Sequence, residues 1–234
     1  YRLFFFLFSL LVFGLTNTAS AAVNTPIFSA SGVSTGNLSL LHPGGTAPKG
    51  VLVFVTGKLA STLTSDGVTG CTYGTGASAV TMIEVLSPVI KTTAEFLETH
   101  AFFLGSGIPA GVQTVTCSVN TATYRQMMVY TVSGLADTEV VDSDFIKLEP
   151  GAPPTVYSSI DLQLQNRASF VAMAAASGMN DVPTFASPFS VDWTSQSEFD
   201  DLSQGYLSYS YGNIVTTDVP NVGFVRGSSP SDTT

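Results

Sequence analysis

The sequence predicts an all-β fold: two antiparallel sheets packed as a jelly-roll-like sandwich. Three observations carry that expectation. Charged residues make up only 11% of the 234-residue chain, against roughly 25% in typical globular chains, and Ser, Thr, Gly and Ala fill the difference. A surface helix needs Lys, Glu and Arg on its wet face, whereas a hydroxyl-rich chain suits strands and turns. Short runs of β-formers alternate with Gly, Pro, Asn and Asp turn signals along the whole chain, which is the pattern of a sandwich or jelly roll. No repeat of fixed period and no heptad competes with it.

The elements follow in order. Ile27 to Ala30 reads as a weak first strand, and Asn37 to Leu41 as the next. His42 to Gly50 carries Pro and paired Gly and reads as a loop. Val51 to Val55 is continuously apolar, as a central strand buried on both faces should be, and Gly57 closes it. Ser65-Asp-Gly67 signals a turn, and Val68 to Tyr73 and Val80 to Val85 read as strands. Lys91 to Leu104 supports two readings. Phe96, Leu97, Ala101 and Leu104 fit a helical face, while Thr92, Thr93, Phe102 and Phe103 favour a strand. Ile108-Pro-Ala-Gly111 is a turn, followed by the β-formers Val112 to Val119 and Met127 to Val132, closed by Gly134.

Asp137 to Pro154 reads as an acidic, Pro-containing loop. In Ser158 to Gln165, Ile160, Leu162 and Leu164 alternate with Asp161, Gln163 and Gln165, the period of a half-buried strand. Ser169 to Ala176 is apolar on both faces, and shorter runs such as Tyr206 to Tyr211 and Val222 to Val225 follow. The expected total is ten to twelve strands in one sandwich over residues 22–226, with 227–234 as linker or the start of a further region.

The N-terminus begins at Tyr1 and reads as a truncated secretory signal, residues 1–21. Leu3 to Leu15 is almost wholly apolar, and Ala19-Ser-Ala-Ala22 supplies small residues for cleavage after Ala21. The run is shorter than the roughly 20 residues of a spanning helix. The expected location is therefore secreted or cell-surface, without membrane insertion once the signal is removed. Export admits a disulfide between the two cysteines, Cys71 and Cys117, but the sequence leaves buried free thiols equally open. A net charge of −9 and a pI near 4.4 argue against nucleic acid and anionic membranes as partners.

The order of segments resembles a β-sandwich domain of bacterial secreted proteins and phage structural proteins. The likeness rests on Val51 to Val55, Val68-Thr-Gly-Cys-Thr-Tyr-Gly74 with Val80-Thr-Met82, Ile108-Pro-Ala-Gly111 leading into Val112 to Val119, and Val132-Ser-Gly-Leu-Ala-Asp137. Gly70-Cys71 interrupts the family pattern, and Ala77 to Ala79 is an insertion. The resemblance implies a sandwich with structural or adhesive roles, a virion surface among them, and brings no catalytic residues.

Gly74-Thr-Gly-Ala-Ser-Ala79 matches a dinucleotide fingerprint in letters, but strand formers follow where a helix would have to begin, so a glycine-rich hairpin is expected. Nucleophilic hydrolysis needs a base beside Ser or Cys. His42 and His100 are the chain's two imidazoles, neither lies in a recognised motif, and both read as ordinary surface or core residues.

Calcium takes oxygen ligands, and two acidic stretches offer them: Asp137, Glu139, Asp142 and Asp144, and Glu198, Asp200 and Asp201. Asp142, Asp144, Asp200 and Asp201 are the candidate calcium ligands; no other cofactor is expected. Trp193, Tyr206, Tyr209 and Tyr211 are candidates for stacking on sugar rings or anchoring a protein partner. The functional expectation is a non-catalytic structural or adhesive module whose partner is an extracellular protein or polysaccharide. A carbohydrate-binding module is the alternative, and a polysaccharide-cleaving enzyme a third reading.

Overall fold

The computed structural model describes residues 24–134, apart from 25, 33, 60–66, 87–88, 92–95 and 120–123, and beyond them the backbone of six further strands. The leader, the 227–234 tail and the 137–154 loop lie outside the described residues. Sixteen strands and one 3₁₀ turn, with no α-helix, make up the described secondary structure. Residues 24–134 supply ten strands: β1 (Ile27–Ala30), β2 (Leu38–Pro43), β3 (Gly50–Leu59), β4 (Val68–Tyr73), β5 (Val80–Thr81), β6 (Ile83–Leu86), β7 (Val89–Lys91), β8 (Phe96–Leu104), β9 (Val112–Val119) and β10 (Tyr124–Val132).

Their pairing is that of a rolled antiparallel ribbon. β1 pairs with β10, β2 with β9, β3 with β8, and β4 with β5. Folding this ribbon brings β10 beside β3 and β9 beside β4. One sheet then has the order β1-β10-β3-β8-β6, with β7 also on β8, and the other the order β2-β9-β4-β5. This is an eight-strand jelly roll, with β6 and β7 added at one edge. The fold is therefore the all-β, two-sheet antiparallel sandwich that the turn-rich sequence predicts.

The core lies between the sheets. Val51, Val53 and Val55 of β3, Phe102 and Leu104 of β8, and Met127 and Val129 of β10 meet Leu38, Cys71, Tyr73, Val115 and Cys117 of the smaller sheet. The outer face of the larger sheet is buried as well, through Phe54, Ala101, Met128 and Tyr130. That explains why β3 is apolar at every position from Val51 to Val55. Beyond residue 134 the strands are β11 (Val156–Leu162), β12 (Ser169–Ala176), β13 (Pro183–Thr184), β14 (Trp193–Asp201), β15 (Gly205–Ile214) and β16 (Val219–Arg226). They form two three-stranded sheets, β11-β16-β13 and β12-β15-β14. β12 comes close to β3 and β8; those two strands already have neighbours on both sides, so it approaches across their face.

Three local readings change, and one left open is resolved. His42 and Pro43 belong to β2 rather than a loop, because β2 is an edge strand, where a missing Pro N–H costs no ladder bond. Gly57 lies inside β3 and does not end it. Val80 to Val85 is split at Met82, where the chain crosses between sheets: the Met82 side chain is buried, and its N–H donates to the Cys71 carbonyl. The ambiguous 91–104 segment contains strand at Phe96–Leu104. The Gly74–Ala79 stretch makes a 3₁₀ turn at Gly76–Ser78 between the paired strands β4 and β5.

Cys71 and Cys117 sit directly opposite each other on β4 and β9, their Cα atoms 4.1 Å apart, and form a disulfide. It closes a loop of sequence separation 46, which the chain-entropy argument values at about 4 kcal/mol. Replacing both cysteines by alanine should lower the unfolding free energy by about 2–4 kcal/mol in urea titrations. An unchanged midpoint would show that the bond constrains nothing the strands do not already hold.

Candidate functional site

Alternation along β8 places Glu98, His100, Phe102 and Leu104 on one side of the strand. Phe102 and Leu104 belong to the core between the sheets, so Glu98 and His100 point there too, and both are fully enclosed. A third ionisable residue joins them from β10. The register sets Arg125 opposite Gly57 of β3, and Gly57 opposite Glu98 of β8. Gly57 has no side chain, and so the Arg125 and Glu98 side chains meet above it across two strand spacings. Arg125 Nε donates to Glu98 Oε1. Glu98 Oε2 accepts from the Gly67 N–H and faces His100 Nε2, each at 3.1 Å.

The other ring nitrogen, Nδ1, lies 2.6 Å from Oε1 of Glu84 on β6. Glu84 is the half-exposed member, its side chain 39% accessible. Both nitrogens of His100 thus face carboxyl oxygens, and with both carboxyls ionised the two contacts are hydrogen bonds only when both nitrogens carry protons. With an imidazolium, the four residues balance as two anions and two cations. Burial alone would lower the His100 pKa, but the hydrogen bonds and charges of Glu98 and Glu84 outweigh it and raise the value above 6.5. Burial alone would raise the Glu98 carboxyl; the His100 hydrogen bond and the Arg125 charge reverse that and hold it below 4.5. The imidazole also stacks on Phe102, with ring centroids 6.2 Å apart.

His42 forms a second enclosed polar group of different character. Its Nδ1 lies 2.8 Å from Ser29 Oγ on β1, and its Nε2 2.8 Å from Thr131 Oγ1 on β10. Hydroxyls donate or accept, so the neutral ring is fully satisfied. Desolvation lowers its pKa from 6.5 to about 4. The Tyr73 ring stands edge-on to it at 6.4 Å. The Tyr73 hydroxyl fills the place of a Cβ on Gly44, 1.8 Å away, so that position admits glycine alone without rearrangement. Thr131 and Arg125 lie six residues apart on β10, which puts the two groups about 20 Å apart at opposite ends of the roll.

The sequence-derived candidates fall elsewhere. Trp193 and the Asp200-Asp201 pair lie on β14, and Tyr206, Tyr209 and Tyr211 on β15. These strands pair, with Ser195 opposite Tyr211, Ser197 opposite Tyr209 and Asp200 opposite Tyr206. Asp142 and Asp144 lie outside the described residues. Among the described residues no three His, Cys, Asp or Glu side chains form a metal-binding group. Glu98 and Arg125 escape a sequence reading because 27 residues separate them and the register alone makes them neighbours. The available signal was Glu98-x-His100 in phase with Phe102 and Leu104.

Comparison with known proteins finds no matching family model, no matching curated protein and no matching solved structure. Both imidazoles are fully buried, and each of their ring nitrogens already has a partner.

These environments set the pH profile of stability. The folded pKa of His42 lies below its unfolded value, so the native state binds fewer protons between pH 6.5 and about 4 and loses stability as pH falls through that window. The loss amounts to about 3 kcal/mol. The Glu98 contribution, present above pH 4.5, is lost at still lower pH, as pH falls through its depressed folded value. The His100 contribution is present below pH 6.5 and disappears as pH rises through its raised folded value. Urea midpoints measured from pH 3 to pH 9 should peak near pH 6.5, and His42→Asn should flatten the acid limb. A profile that rises steadily to pH 9 would contradict the imidazolium assignment.

Proposed function

We propose that the chain is a non-catalytic structural or adhesive module of an exported protein, acting at a cell or virion surface through an uncharged sheet face. The observation that carries this reading is the outer face of the four-stranded sheet. Ser39, Thr116, Thr72 and Thr81 stand in one row across its four strands. Leu41, Pro43 and Val112 lie beside that row and are exposed, Leu41 at 68% and Val112 at 65%. None of these residues is charged, in a chain of net charge −9. An exposed patch of methyl and hydroxyl groups suits contact with a neutral surface. The enclosed disulfide is in keeping with an oxidising, extracellular setting, and the apolar N-terminal run with its small-residue cleavage pattern is in keeping with export.

A carbohydrate-binding reading draws on a different observation: the pairing of β14 with β15 brings Trp193, Tyr209 and Tyr211 onto adjacent strands, with Asp200 and Asp201 at the end of β14. One screen separates the two. The folded protein is tested against neutral polysaccharides and for self-association, with calcium and then with a chelator. Saturable binding lost in Leu41→Asp/Val112→Asp, at an unchanged unfolding midpoint, supports the sheet face. Binding lost in Trp193→Ala transfers the role to β14 and β15, and chelator sensitivity adds calcium. Cleavage of any polysaccharide in the panel overturns the non-catalytic reading.

A further inference from the structure

We infer that Glu84, His100 and Glu98 form a proton-operated latch that fastens the edge strand β6 to the body of the sheet. Among the described residues β6 pairs with one strand, β8, in a register broken between Glu84 and Leu86; Val85 and Leu86 pack on the outer apolar cluster, while Ile83 is 70% exposed. With so few ladder bonds, a side-chain tie to the interior weighs heavily in its attachment. That tie is the bond from His100 Nδ1 to Glu84 Oε1, 2.6 Å long.

The latch opens in a determined direction. A neutral imidazole has one N–H and can serve one carboxylate, while its bare nitrogen repels the other. Glu98 is fully enclosed and also bonded to Arg125 and the Gly67 N–H, so leaving it without its ring donor costs a buried charge. Glu84 sits at the rim and can turn into water. Deprotonation therefore leaves the proton on Nε2, keeps the Glu98 bond and frees Glu84, which loosens β6 on β8.

Among the described residues nothing substitutes for the ring. Val55, opposite His100 on β3, and Phe102, stacked on its ring, do not titrate, and Cys117 of the same core is held in the disulfide. The charged groups of the cluster are Glu84, Glu98 and Arg125. On β7, Lys91 stands in register with Phe96, four residues along β8 from His100. β12, which approaches β8, carries no titratable residue in Ser169–Ala176.

Amide hydrogen exchange across β6, corrected for the intrinsic pH dependence of exchange, tests the latch. Protection over residues 83–86 should fall about tenfold from pH 6 to the pH at which NMR shows the His100 ring deprotonated, the scale of one charge-assisted hydrogen bond, while β3 keeps its protection. Glu84→Ala removes a half-exposed side chain, so the fold should survive. Its β6 should exchange about tenfold faster at pH 6 and show no further pH dependence. Nitrogen NMR of His100 should show both nitrogens protonated at pH 6 and, once the pH has passed the ring's raised pKa, the Nε2–H tautomer. Equal β6 protection in the wild type before and after the ring deprotonates, an undiminished pH response in Glu84→Ala, or the Nδ1–H tautomer would each overturn the latch.

Discussion

The Arg125–Glu98 ion pair is the constraint around which one end of this roll is arranged. It joins β10 to β8 over the intervening β3. Both side chains are fully enclosed, and a charge taken out of water costs several kcal/mol unless it is paired. Among the described residues the two terminal nitrogens of Arg125 have no hydrogen-bond partner, and the bond through Nε carries its pairing. A slip of β3 by one residue would place a side chain at the crossing and turn the Val51, Val53 and Val55 face outward. The pair thus specifies register more than it adds to net stability, since apolar residues of similar volume often serve as well for stability alone.

The two buried imidazoles show how neighbours decide what burial does. His42 meets hydroxyls at both nitrogens and is held neutral, its pKa near 4. His100 meets carboxylates at both and is held charged. Desolvation opposes the charged form in each case and wins only where no anion answers it. The same residue type therefore fastens the two ends of one sandwich with opposite responses to pH.

Much of the fold was legible in the sequence, because strand identity is a local property. The run Val51 to Val55 announced a strand buried on both faces, and Ile108-Pro-Ala-Gly111 the turn before β9. What local reading could not supply was register. Gly57 looked like a stop signal because glycine usually is one; its place between Arg125 and Glu98 exists only once three strands are aligned. His42 looked like loop because Pro and two Gly follow it, yet an edge strand accommodates the Pro. The row Ser39–Thr116–Thr72–Thr81 is likewise invisible until four strands are placed side by side.

Gly57→Ala is the most direct test of this account. Gly57 lies in strand backbone and is not among the glycines with positive φ, so alanine meets no conformational strain there. By intrinsic preference it should stabilise a strand by about 0.5–1 kcal/mol. The account predicts the opposite sign. A methyl group at the crossing parts Arg125 from Glu98, and the unfolding free energy should fall by about 3 kcal/mol, the scale of a broken buried pair, with the alkaline limb of the pH profile reshaped. A variant as stable as the parent or more so would contradict the claim that the pair crosses over this glycine and holds the register.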